Sequence, residues 1–309
     1  MKNNLLHITN GDFTTSKLES LNIPGKIFTW REMLCEGKTT TDVGTEDFWK
    51  SRFDFLSSTY KVTKQRFIDL TLKEFRSLCQ QKTQDEIVLW FEYDLFCQIN
   101  MLAILSWIKK HRKEAKISLI CSGKESNYNE LKGLSELKDE ELKEFFLKRK
   151  ELSKDDIEYA DYIWQLYCSD SPLKLQNLPP SSTFQYLDKA LDAHLKRFPT
   201  IKNGLNEIEN TILDTVFTKN PNNEKALINF LLSNQNLYGF GDIQYKVKIE
   251  ELKKLFKSYV PFQLNDLGID VYQKKQNFYP SIRNDYSYLG GSLKYNYLYN
   301  EIDGKILKL

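Results

Sequence analysis

The chain has 309 residues, long enough for two domains with real cores, and its 41% hydrophobic and 28% charged composition is that of an ordinary globular protein. With 44 basic against 42 acidic residues the net charge is +2, which excludes a global field drawing the chain to nucleic acid or to an anionic membrane. No apolar run nears the ~18 residues of a membrane span, and the start MKNNLLHITNGD is too short for a signal-peptide core. Cys35, Cys79, Cys97, Cys121 and Cys168 are odd in number and widely spaced, with no CxxC pair, as expected of reduced thiols in a cytoplasmic protein.

In chain order, residues 5–9 read as a strand, Asn10-Gly11-Asp12 as a turn, and Thr14 or Thr15 as the cap of a short helix. Residues 26–30 give a second strand, so the start is a compact βαβ unit. Its NGDFTT loop is neither a dinucleotide fingerprint nor a phosphate loop. After Arg31 to Gly37, the polar stretch KTTTDVGTED lies beyond a strand end, where loops often form a site wall. Helices are predicted at 46–59 and 63–80. Residues 86–124 then carry the clearest pattern. The apolar run from Ile87 to Phe91 ends on Glu92-Tyr93-Asp94, a well-buried helix follows, and a second run from Ile117 to Cys121 ends at Ser122-Gly123. That is strand, crossover helix, strand, with two acids at the carboxyl end of the first strand, where open parallel sheets bind ligands.

From 127 the chain turns helical. Ser153 begins an S-x-x-D cap, and 177–182 is the best linker candidate. Asn206, Asn223 and Asp242 each begin a helix. Alternating Leu293, Tyr295, Tyr297 and Tyr299 predict a β-ribbon. Three helices followed by strands is the order of a winged-helix module. The expected fold is therefore α/β, with a mostly parallel Rossmann-like sheet (1–124), a helical segment packing on it (125–200) and a winged-helix-like end (201–309).

The phrases LLHITNGD, IPGKIFTWREMLCEG, EIVLWFEYDLFCQINMLAIL, YIWQLYCSDSPLKL, ALDAHLKRFP and YGFGDIQ, in that order, resemble a family of bacterial proteins known as domain of unknown function 1835. The resemblance spans nearly the whole chain. It implies a cytoplasmic bacterial protein and brings no activity and no catalytic residues with it.

The residues themselves nominate a site. Asp12, Glu32, Glu36, Glu92 and Asp94 all follow strand ends, and converging carboxylates can hold Mg²⁺ or Mn²⁺ or divide into acid and base. Asp12, Glu92 and Asp94 are the candidate catalytic groups, with Asp12 and Asp94 as metal ligands. Gly11, Trp30, Arg31, Glu32 and Gly37 are the candidate ligand-binding residues, Arg31 gripping a phosphate or carboxylate in two-pronged fashion. The structural alternative is that each acid caps a loop or pairs with a neighbouring cation. Cys97 falls three residues after Asp94, as a thiol near the crevice or simply a buried one. His7 and His194 read as packed histidines. The expected function is an enzyme, hydrolase or transferase, acting on a phosphorylated or otherwise anionic small molecule. The alternative is a ligand-sensing or nucleic-acid-associated protein whose Tyr286, Tyr288, Tyr295, Tyr297 and Tyr299, with Lys294, stack bases. Against that alternative, the helix from Asp242 alternates charge and shows no basic face.

Overall fold

The computed structural model describes residues 4–112, 114–124, 130–235 and 237–309. It opens with β1 (Leu5–Asn10), α1 (Asp12–Ser20) and β2 (Lys26–Trp30). A two-residue strand β3 (Gly37–Lys38) precedes α2 (Glu46–Tyr60) and α3 (Lys64–Phe67), which passes through one π turn (Ile68–Leu72) into α4 (Lys73–Gln80). Then come β4 (Glu86–Glu92), α5 (Leu95–His111), β5 (Lys116–Ser122), α6 (Asp139–Leu147), the short β6 (Lys150–Glu151), α7 (Lys154–Tyr167) and α8 (Leu187–Leu195).

The main sheet runs β2-β1-β4-β5-β6. Its first four strands are parallel and β6 joins antiparallel. From β1 the chain crosses to β2 on one side, and from β4 it crosses to β5 on the other. β1 and β4 are neighbours, so a switch point opens between their carboxyl ends. Helices cover both faces, as parallel sheets require. On one face Leu18 of α1 and Leu142 of α6 pack with Val88, Trp90 and Ile120. On the other lies α5, whose buried set runs almost around the helix and includes Gln98, Asn100 and Ser106.

The edge strand β2 does not present a bare ladder, because the Thr29 amide donates to Glu74 on α4 (3.1 Å). α1 begins earlier than the threonine cap predicts. Gly11, at φ +100°, takes the N-cap position, and Thr15 instead bonds the hydroxyls of Thr9 (2.6 Å) and Thr29 (2.7 Å). A positive φ at that position suits glycine, which explains Gly11 without a ligand.

The last third holds α9 (Glu207–Lys219), α10 (Glu224–Asn234) and α11 (Asp242–Glu251), then a hairpin of β7 (Phe256–Tyr259) and β8 (Phe262–Leu264). α12 (Asp266–Tyr272) and α13 (Tyr279–Ile282) lead to β9 (Tyr288–Gly290), β10 (Ser292–Leu293), β11 (Tyr297–Asn300) and β12 (Lys305–Lys308). The expected single ribbon is two separate hairpins. β9 also pairs in parallel with β3, 252 residues earlier in the chain, as Gly37 and Lys38 align with Leu289 and Gly290. Tyr295, Tyr297 and Tyr299 are buried and Lys294 is ion-paired with Glu209 (2.7 Å), so these four are core residues and not a base-stacking row.

One hydrophobic cluster includes Leu6, Trp164 and Ile306, hence residues of all three segments of the sequence. Buried charges tie the same segments together. Arg52 of α2 meets Glu32 (2.9 Å), both fully buried, and Arg197 just beyond α8 meets Glu36 (2.5 Å). Tyr60 and Lys248 complete the surroundings of Glu36.

Candidate functional site

The carboxyl end of β4 places Glu92 at the switch point, and the turn into α5 brings Asp94 beside it. Asp94 is the N-cap of α5 and accepts from the Cys97 amide (2.8 Å). Glu92 accepts from the Leu134 amide (2.7 Å), while its own carbonyl takes the Gln98 side-chain amide (2.7 Å). The ligand atoms of Glu92, Asp94 and Cys97 all lie within 4.8 Å of one another. Asn10, from the end of β1, donates to the Cys97 sulfur (2.9 Å) and accepts from Asn100 (2.8 Å), so the two strand ends and α5 are locked together.

These groups border a crevice of about 1260 Å³, whose far wall is formed by Leu232, Ser233, Gln235, Leu237, Gly239 and Phe240 from the last third. Four acids, Glu92, Asp94, Glu130 and Glu136, line it, and Lys189 is the one cation among its described lining residues. The electrostatic result is a site whose acids hold their protons more tightly than usual. Burial, with the Asp94 charge adding to it, pushes the Glu92 carboxyl up to about 7. Burial raises Asp94 as well, opposed by the amide hydrogen bonds of its cap. Burial and the nearby acids hold the Cys97 thiol well above its ordinary value, and Tyr93 is pushed up to about 12. At neutral pH Cys97 is therefore a thiol, and the available donors are carboxylate oxygens.

The helix dipole of α5 points into this crevice, but its first amides are already engaged. Leu95 donates to the Leu237 carbonyl (2.7 Å) and Phe96 to that of Tyr238 (3.3 Å). An anion does not find a free helix N-terminus here.

The other predicted site residues lie elsewhere. Asp12 is exposed and pairs with Arg31 (2.6 Å), which also reaches Glu74 (3.8 Å) and the Leu70 carbonyl (3.2 Å). Arg31 is thus a tie between α1, β2 and α4, and Asp12 is not in the metal-capable group, where Cys97 stands instead. Trp30 is packed among Phe28, Trp49 and Phe75. Glu32 belongs to the buried Arg52 pair. Gly37, at φ +72°, packs so closely under the Phe55 ring that a Cβ would overlap it. Of the eight nominated residues, only Glu92 and Asp94 line the crevice, while Asp12 and Arg31 meet each other away from it. The sequence reading missed Asn10, Glu136, Lys189 and Gly239. Asn10 was within reach, since it ends the strand beside β4, whereas the other three arrive through tertiary packing.

No family model and no curated protein matches the chain. Among solved structures, a DNA-binding, cleavage and re-ligation domain of Plasmodium falciparum topoisomerase II aligns with 83% of this chain at 14% identity and a TM-score of 0.48. The chain spans 42% of that structure's length. A TM-score below 0.5 does not establish a common fold. No helix among the described residues is long and apolar enough to cross a membrane.

Proposed function

We propose that the crevice between β1 and β4 is the active site of an enzyme, a hydrolase or transferase, acting on a phosphorylated or otherwise anionic small molecule through Mg²⁺ or Mn²⁺ held by Glu92 and Asp94. One observation carries the reading: a carboxyl group held at about 7 sits beside a second carboxylate at the switch point of a parallel sheet. Two acids that cannot both ionise comfortably are relieved by a cation. An oxygen-only donor set with room for water suits a hard ion. The ion also removes the obstacle to an anionic substrate, since four acids line the crevice. Lys189 is then the side chain available to the far end of the substrate.

The test is Mn²⁺ binding followed by calorimetry and thermal shift. The apparent affinity of the native chain should rise close to tenfold per pH unit below about 7 and level off above it, as one proton leaves Glu92. Glu92→Gln and Asp94→Asn should lose the Mn²⁺-dependent stabilisation. An equal shift in both variants, or none in the native chain, removes the metal and with it the enzyme reading.

The order α9, α10, α11 and then the β7–β8 hairpin supports a second reading, a winged-helix module that contacts nucleic acid or senses a ligand. The exposed Lys246 of α11 and Lys253 just beyond its end are met by acids, Lys246 by Asp242 (3.2 Å) and Lys253 by Glu250 (2.5 Å), which is why the first reading leads. A gel shift with mixed-sequence duplex DNA, with no salt-sensitive binding, would remove it. We also propose membership of the bacterial family of domain of unknown function 1835, and a cytoplasmic location, on the ordered sequence blocks and the five free cysteines.

A further inference from the structure

The last residue of β5 carries a polar group that the fold leaves idle. Ser122 is fully buried, and its hydroxyl has no hydrogen-bond partner among the described residues. Buried hydroxyls are ordinarily paired, because an unpaired one has lost its water and gained nothing in return. Register fixes where this one points. Ser122 lies opposite Glu92 on the β4–β5 ladder, and residues opposite one another in a sheet project from the same face of strands about 5 Å apart. Two residues back along the same alternation, Trp90 and Ile120 share one apolar cluster, which confirms the common face. The Ser122 hydroxyl therefore stands beside the side chain of Glu92, which lines the crevice, and the Asp94 carboxylate comes within 4.8 Å of that of Glu92.

The Cys97 sulfur also lies within reach of these two carboxylates, but it is poorly suited to complete the group. It already takes the Asn10 side-chain amide (2.9 Å), and sulfur prefers soft metals, whereas a hydroxyl oxygen suits a hard ion. A hydroxyl ligand also adds no charge. Two carboxylates balance a divalent cation, and the remaining positions stay open to water or to an anionic oxygen of a substrate.

We propose that Ser122 is the third protein ligand of a hard divalent cation at this site, its hydroxyl oxygen the neutral donor beside the carboxylates of Glu92 and Asp94. This assignment rests on the metal reading of the crevice and adds to it a residue from the neighbouring strand. In the metal-free chain the hydroxyl holds nothing in place, so its role shows only when the ion is bound.

Mn²⁺ titration calorimetry and metal-free thermal midpoints on the native chain, Ser122→Ala and Ser122→Cys test this. Ser122→Ala should weaken Mn²⁺ binding about tenfold or more, since even the loss of outer-shell partners costs that much. Its metal-free midpoint should equal or exceed the native one, because the change deletes an unpaired buried hydroxyl. Ser122→Cys puts a soft donor in the same place. Its ratio of Cd²⁺ to Mn²⁺ affinity should exceed the native ratio by at least the factor that Ser122→Ala loses for Mn²⁺. If the native chain binds Mn²⁺ and Ser122→Ala binds it equally well, Ser122 is not a ligand and the carboxylate site stands without it. If the metal-free midpoint of Ser122→Ala falls and Ser122→Cys gains no preference for Cd²⁺, the hydroxyl is a structural group and the assignment fails. A native chain that binds no Mn²⁺ removes both the assignment and the metal reading beneath it.

Discussion

Glu92 connects stability to function in a way that can be read from pH alone. A carboxyl whose folded value lies near 7, above its ordinary 4.5, contributes stability that is fully present below the ordinary value and lost as pH rises through the folded one. Glu92→Gln should therefore raise the stability of the fold by about 2 kcal/mol at pH 8, after discounting for partial exposure, and leave it unchanged near pH 4. Urea midpoints at the two pH values check this. A variant that is destabilised at pH 8 would mean that Glu92 works as an ionised structural anchor for the Leu134 amide. The histidines act in the other direction. Burial lowers both His7, which accepts from the Trp90 indole N–H (3.1 Å), and His194, packed against Tyr167 and Phe198. Groups held neutral in the fold give stability that is complete above their ordinary 6.5 and lost as pH falls below it. Replacing His194 by Phe should flatten the decline in urea midpoint between about pH 6.5 and 5. If the acid limb is unaltered, His194 is not a source of it.

At the scale of elements, the N-terminus of α5 is the joint on which the site depends. Its cap and its first amides are supplied by different parts of the chain: Asp94 locally, and the Leu237 and Tyr238 carbonyls from the last third. Gly239, at φ +67°, lets that segment approach so closely that a Cβ would overlap the Asp94 carboxylate. Gly239→Ala should cost about 1–3 kcal/mol from the strained φ and the clash together. Asp94→Asn, which keeps a capping acceptor, should cost well under the ~1 kcal/mol typical of Asp94→Ala. Chemical denaturation of the three variants distinguishes the roles, and an Asn variant as unstable as the Ala one would mean that the charge, and not the cap, holds the helix. The elements around this joint were legible because periodicity and caps are local. The apolar runs of β4 and β5, the S-x-x-D start of α7 and the Asn206 cap all fall where the sequence marks them. What was not legible is non-local. Nothing near Gly37 announces a parallel partner at Leu289, and nothing near Arg31 announces that Asp12 and Glu74 will engage it. The tyrosines at 295, 297 and 299 alternate as an exposed ribbon would, yet burial against the core decides their role.

For the whole molecule, the question is whether the last third unfolds with the rest. The sequence invites boundaries near 124 and 200, but the core cluster is continuous across both, and Arg197 with Glu36 and β3 with β9 join the segments directly. Lys294 and Glu209 offer a local lever inside the last third, since both are buried and pair only 2.7 Å apart. Lys294→Met strands the Glu209 carboxylate in the interior, and breaking a buried pair from one side costs about 3–5 kcal/mol. All five tryptophans lie at or before residue 164, far from this lever in sequence, so their fluorescence reports the first two segments alone. In a single cooperative unit the tryptophan transition moves to lower denaturant together with the far-UV circular dichroism, by the same free energy and with one midpoint. If the last third were an independent domain, the dichroism would become biphasic while the tryptophan midpoint stayed where it is in the native chain. Adding Glu209→Leu to Lys294→Met should then recover most of the loss, because the stranded charge, and not the missing ammonium, is what the fold cannot accommodate.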